Sequence, residues 1–166
     1  MSLPSIFDLC VPREDVRSGG ITESDFAADL AQVLRGEGPA VYRDAGEFFA
    51  NSHPTRGLKD LLRNVCLRLQ GSSEQAASIF RLDTNYGGGK THALIALSHL
   101  ARGAGQVPNV GEFVDRALLP AGTVRIAAFD GENADPSNGR PLGEGVRAYT
   151  PWGELAFALA GRAGYE

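Results

Sequence analysis

Lysine is nearly missing from this chain. Of its 16 basic residues only two, Lys59 and Lys90, are lysine, and the remaining 14 are arginine. A lysine at a particular place is therefore informative. Cysteine is just as sparse. Cys10 and Cys66 are the only two, and neither has a neighbour at metal-ligand spacing. That leaves no disulfide framework and no zinc site to read, and it fits free thiols in a reducing compartment. No apolar run approaches the roughly 20 residues needed to span a bilayer. The first ten residues lack the basic-then-apolar order of a signal peptide. The expectation is a soluble, cytoplasmic protein with no membrane partner. An excess of positive charge is missing too: the net charge of −4 argues against broad coating of nucleic acid and leaves direct DNA contact open.

Glycine, by contrast, is plentiful. The 21 glycines mark turns and places where backbone must approach a ligand closely. With 166 residues, the chain is long enough for a domain with a real core.

After an irregular start ending at Gly19-Gly20, the pattern predicts a helix. Thr22 or Ser24 would cap it, acidic Glu23 and Asp25 suit its first turn, and Phe26, Leu30, Val33 and Leu34 form its apolar face, with Gly36 ending it. Residues 40–42 read as a short strand or extended piece. Phe48 and Phe49 read as core in preference to ligand-stacking residues. A second helix starts at Thr55, with Pro54 blocking upstream continuation, and carries the stripe Leu58, Leu61, Leu62, Val65 and Leu69. Its Arg56, Lys59 and Arg63 read as a solvated face, with nucleic-acid contact as the alternative. Gly71-Ser72-Ser73 breaks it.

Residues 76–83 read as a strand, although Arg81 and Asp83 sit poorly on a strand buried on both faces. Residues 91–102 form a helix with Ala93, Leu94, Leu97, Leu100 and Ala101 on its apolar face. A short helix over 110–118 and a strand over 124–129 follow. Residues 132–149, rich in proline and glycine, read as a long connection that is functional, mobile or a misread element. A last helix begins at Thr150-Pro151-Trp152, with threonine as cap and proline in the first turn.

Strand, glycine-rich loop, helix, strand is the order of a phosphate-binding α/β domain. The loop reads Thr84-Asn85-Tyr86-Gly87-Gly88-Gly89-Lys90-Thr91. Against G-x-x-x-x-G-K-[ST], Gly89, Lys90 and Thr91 match, and Thr84 replaces the first glycine. A G-K-[ST] tripeptide would arise by chance roughly 0.02 times in a chain of this composition. Backbone N–H groups of Gly87, Gly88 and Gly89 can converge on phosphate oxygens, aided by the N-terminus of the next helix. Lys90 is the candidate catalytic residue, reaching the β- and γ-phosphates of ATP, and the Thr91 hydroxyl is the candidate Mg²⁺ contact. His92, one residue on, is placed to touch nucleotide, or else is a partly exposed helix residue. Tyr86 is expected beside the loop. The metal-holding carboxylate is less evident: Asp130 and Glu132 follow the apolar run 126–129, with a loop carboxylate that shapes the site as the alternative. The dinucleotide fingerprint fails, since His92 stands where its third glycine belongs.

The run from Phe80 to His92, above all Gly87-Gly88-Gly89-Lys90-Thr91-His92, resembles the P-loop of large prokaryotic predicted ATPases of the AAA-like class. These carry a domain of unknown function and are often encoded in phage-defence islands beside DNA methyltransferases and helicases. Tyr42-Arg43-Asp44 with Phe48-Phe49 and Pro54-Thr55, and Trp152-Gly153-Glu154-Leu155-Ala156, resemble flanking segments of that family, so the likeness covers residues 40–166. In family members an apolar strand ending in Asp-Glu follows the Trp-Gly-Glu segment. The resemblance thus implies an N-terminal piece that stops before its Walker B strand, and partners among other subunits or DNA-modifying proteins.

The combined expectation is an α/β fold: a helical N-terminal region over 1–75, then over 76–166 the start of a P-loop NTPase core with parallel strands. Its activity would be nucleotide triphosphate binding and, in the parent, hydrolysis. A P-loop phosphotransferase using residues 132–149 as its lid, and a binding module with a degenerate loop, stay open.

Overall fold

The computed structural model describes residues 4–20, 27–71, 76–83, 85, 87–131 and 134–166. Thr22, Glu23, Ser24, Asp25, Phe26, Ser72, Ser73, Thr84, Tyr86 and Glu132 lie outside the described residues.

Two single-turn helices, α1 (Ile6–Leu9) and α2 (Glu14–Arg17), open the chain. Helix α3 (Leu30–Arg35) is capped by Asp29, whose carboxylate accepts the Gln32 N–H at 3.1 Å, and it ends at Gly36 with φ 76°. Residues 40–42, expected to be extended, belong instead to α4 (Ala40–Arg43). Pro39 supplies the extended residue before it, and among the described residues no strand is paired alongside Val41 and Tyr42 to make their β propensity count. Asp44 then caps α5 (Ala45–Asn51) by accepting the Glu47 N–H at 2.9 Å. Helix α6 (Arg56–Leu69) starts as its sequence predicts, with Thr55 Oγ1 accepting the Leu58 N–H. Its buried line is Leu58, Leu62 and Cys66. Cys66 thus joins the apolar stripe, while Leu69 turns outward.

Helix α7 (Lys90–Ala101) follows the glycine loop. Its buried face is Ala93, Ile95, Ala96, His99 and Leu100, rotated from the expected one, and Leu94 is 41% exposed. The expected helix over 110–118 resolves into two 3₁₀ turns, Pro108–Glu112 and Arg116–Leu118. Gly111 and Asp115 favour tight turns over a continuous helix, and Asp115 caps the second by accepting the Ala117 N–H at 2.9 Å.

The expected strands over 76–83 and 124–129 carry no ladder pairing among the described residues. The only sheet described there is an antiparallel hairpin, β1 (Arg140–Gly143) with β2 (Val146–Ala148). It lies inside 132–149, so that segment is a misread element and not a structureless connection. Glu144 (φ 51°) and Gly145 (φ 76°) form its two-residue turn, the left-handed pair that matches strand twist. Arg147 Nη1 donates to the carbonyls of Asn138 and Gly139. The final helix α8 (Pro151–Tyr165) has Thr150 as its cap, as predicted, and breaks its helical angles at Ala160 and Gly161.

One buried cluster unites the described residues on both sides of position 75. Val33 (α3), Phe48 and Phe49 (α5), and Leu58, Leu62 and Cys66 (α6) pack with the inner face of α7 and with Val110, Phe113 and Val114. Phe48 and Phe49 are each 1% exposed, which bears out their reading as core. Phe49 meets Phe113 edge-on with ring centres 5.0 Å apart. Arg102, just past α7, donates to the carbonyls of Val33 and Leu34 at the end of α3, where a cation suits the helix dipole. The core therefore holds α7 from several sides, and α7 begins at the glycine loop.

Candidate functional site

Gly87 and Gly89 both take left-handed φ angles, 77° and 76°. Residues with a β-carbon enter that region at a cost of about 1–2 kcal/mol. A β-carbon placed on either glycine would meet no atom within 4 Å. Backbone geometry, and not packing, demands glycine here, and the space before the loop is open. The Asn85 carbonyl gathers the loop, accepting the Gly88 N–H at 3.0 Å and the Lys90 ammonium at 3.1 Å. Gly89 is the N-cap of α7. Among the described residues no side chain caps that end, and no acidic residue sits in its first turn. The first N–H groups of α7 thus point out of the helix with the positive end of its dipole.

Two clefts flank this helix start. One, of about 450 Å³, is lined by Gly87, Gly88, Gly89, Lys90, His92 and Ala93 together with His53, Thr55, Gly57, Leu58 and Leu61 of the α6 start, and by Leu82. The other, of about 490 Å³, is lined by Thr91 and Leu94, by Asp29 and its α3 neighbours, and by Phe129, Asp130 and Arg140. Lys90 and Thr91 are adjacent, so about 100° of helical rotation sends them to different sides. Thr91 and Asp130, the two sequence candidates for Mg²⁺, are brought to one cleft. Arg140 reaches the same place from β1, donating to the Asp130 carbonyl at 3.4 Å while pairing with Glu154 of α8 at 3.2 Å.

His92 lines the Lys90 cleft and is also built into the core edge. Its Nε2 lies 2.8 Å from Ser52 Oγ, and its ring stacks on Phe48 with centres 4.4 Å apart. Two helical turns on, His99 Nε2 donates to the Tyr42 carbonyl at 2.8 Å, and its ring lies 5.3 Å from Phe48. Burial pushes both imidazoles below the ordinary 6.5; for His99 the Tyr42 bond and Asp44 oppose this and Arg102 adds to it. Both rings are thus neutral in the folded chain at a pH where the unfolded chain takes up protons. Their contribution to stability is complete above about 6.5 and is lost as the pH falls below it toward their lower folded-state values. Urea unfolding at pH about 7.5 and about 5.5 should show a lower midpoint at the acid end, and His92→Gln should shrink the difference. An unchanged difference would mean that His92 does not titrate with folding.

Asp29 and Arg140 were missed as site residues in the sequence, as were His53, Gly57 and Leu82. No motif links Asp29, His53, Gly57 or Arg140 to the loop, since they arrive from other elements; Leu82 lies two residues ahead of it, in the run that carries the family likeness. Among the described residues no group of three or more His, Cys, Asp or Glu forms a metal-binding cluster, and no helix is long and apolar enough to cross a membrane.

No curated protein and no solved structure matches the chain. A family model does, that of the DUF499 N-terminal domain, over residues 9–164. With that match running through nearly its whole length, the chain belongs to the DUF499 N-terminal domain family.

Proposed function

We propose that this chain binds Mg²⁺-ATP through residues 85–91, as the nucleotide-holding part of an AAA-like P-loop ATPase core. The parallel-strand sheet expected of such a core is part of the same proposal. One observation carries the reading: a loop bent by two left-handed glycines, with open space before it, runs into a helix whose N-terminus lacks a described side-chain cap. An anion suits that arrangement best, because it meets both the outward-pointing N–H groups and the positive end of the helix dipole. Lys90 adds the charge that the triphosphate needs.

The metal fits the oxygen donors present. Thr91 would hold Mg²⁺ through its hydroxyl, and Asp130, a loop carboxylate in the same cleft, would shape the site without being required to hold the metal. Bound there, the cation would neutralise phosphate charge. The glycine N–H groups orient the phosphates, and Lys90 exchanges its contact to the Asn85 carbonyl for phosphate oxygen. Work on a partner in a DNA-related defence system, with other subunits or DNA-modifying proteins, is the context that the family likeness suggests. A phosphotransferase has less support, because the segment required as its lid is a hairpin tied to α8 by Arg140 and Glu154. A degenerate binding module has the Thr84 replacement in its favour, and the same titration separates it.

Calorimetric titration with Mg²⁺-ATP tests the reading. Lys90→Ala removes a charge-assisted contact and should weaken binding by about 1.5–3 kcal/mol, roughly ten- to a hundredfold. Equal affinity of the wild type and Lys90→Ala would sink the assignment.

A further inference from the structure

The cleft beside Lys90 has a lining of two characters. Part of it is the glycine loop, with its backbone N–H groups, and Lys90. Part is apolar, Leu58 and Leu61 about one turn apart on α6 together with Leu82, with the His53 imidazole among the lining groups. Inorganic phosphate would meet the first part alone. A ligand with a charged head and a flat, weakly polar body meets both. The volume of about 450 Å³ falls in the range of small-molecule sites, roughly 300–1,000 Å³.

Gly57 is a second and independent observation. It lies in the first turn of α6, where a glycine disfavours the helix relative to alanine. Its φ is not left-handed, and a β-carbon on it would meet no atom within 4 Å. Neither backbone conformation nor packing within the chain asks for glycine there. It lines the same cleft, so the space that it leaves is open to a ligand.

We propose that the first turns of α6 form a nucleobase subsite, in which the base of the nucleotide lies against Leu58, Leu61 and Leu82 and across Gly57. This rests on the phosphate end being held as proposed above. The subsite works by apolar contact. Thr55 Oγ1 already accepts the Leu58 N–H, so beside the leucines only its hydroxyl proton and the His53 ring can reach the base edges. Such a site tolerates different bases, whereas sites built on hydrogen bonds reject the wrong one by orders of magnitude.

The test compares ATP, GTP, CTP and inorganic tripolyphosphate, each with Mg²⁺, on the full chain. ATP should bind at least about tenfold tighter than tripolyphosphate, with the three nucleotides within about tenfold of one another. Gly57→Leu fills the subsite while favouring the helix, so it should fold at least as well. It should bring ATP down to the affinity of tripolyphosphate and leave tripolyphosphate unchanged within about twofold; Leu61→Ala should act in the same direction more weakly. Equal binding of ATP and tripolyphosphate by the wild type, both lost in Lys90→Ala, would overturn the base subsite and keep the phosphate site. So would unchanged ATP binding by Gly57→Leu, or a preference among bases above about a hundredfold. If neither ATP nor tripolyphosphate binds, or neither depends on Lys90, the nucleotide reading itself falls and takes the subsite with it.

Discussion

Nucleotide held by this chain should turn over at about 10⁻³ per second or more slowly, the range of P-loop sites that lack a supplied arginine. Binding requires only the glycine N–H groups, Lys90 and Thr91. Hydrolysis needs in addition a positioned water and positive charge on the transferring phosphoryl group, and an arginine in that role is worth about 10³ to 10⁵ in rate. Neither an arginine nor a carboxylate lines the Lys90 cleft among the described residues. The arginine of the neighbouring cleft, Arg140, is engaged with Glu154 at 3.2 Å. Phosphate release at saturating Mg²⁺-ATP measures this directly. Asp130→Asn should change the slow rate little. Steady turnover near about 1 per second, abolished by Asp130→Asn, would show instead that Asp130 is the working metal carboxylate and that the chain is a competent enzyme by itself.

Truncating Phe48 should cost about 3–5 kcal/mol of stability, the usual loss for a fully buried phenylalanine cut to alanine. That is a large part of the roughly 5–15 kcal/mol that holds a domain of this size folded. Phe48 is enclosed on three sides: Phe49 meets it edge-on at 5.2 Å, and the rings of His92 and His99 of α7 lie tilted against it at 4.4 and 5.3 Å. Urea unfolding should therefore show a sharply lower midpoint for Phe48→Ala, and a loss of less than about 1.5 kcal/mol for Phe48→Leu, which keeps most of the volume. A double-mutant cycle with His92→Ala should return a coupling of about 0.5–1.5 kcal/mol, the range of ring pairs. Additive losses would mean that the Phe48–His92 stack is contact without energy.

The parts legible in the sequence are those set by local chemistry. Thr55 and Thr150 cap their helices because a threonine oxygen satisfies N–H groups three residues on, whatever the rest of the fold does. Gly36 ends α3 because it alone enters the left-handed region freely. Lys90 and Thr91 follow the glycines into α7 for the same local reason. What local chemistry does not set depends on partners distant in the chain. Residues 76–83 and 124–129 have strand composition, but a strand needs another to pair with it, and the described residues contain no such pairing for these two segments. Ile79 is accordingly 85% exposed. The face of α7 was misjudged because apolarity alone was counted. His99 is buried and bonded to the Tyr42 carbonyl, while Leu94 faces the cleft that holds Thr91 and Asp130. The hairpin was hidden because Pro141 and Gly143 read as breakers, although Glu144-Gly145 is a workable two-residue turn. The split of Lys90 and Thr91 between two clefts could not be read without knowing what packs on each side of the helix.

The clamping of α7 sorts stiff parts from compliant ones. Its first turn is pinned through His92 to Ser52 and Phe48, its middle through Ile95, Ala96 and His99 to the core, and its exit through Arg102 to α3. Local unfolding at the helix start would have to break the ring stack, so the helix can fray there only together with α5. Just upstream, Gly87 and Gly89 take left-handed angles, and residues 79–83 pair with no strand among the described residues. The helix serves as a fixed anvil, and the freedom to turn beside it rests with two glycines.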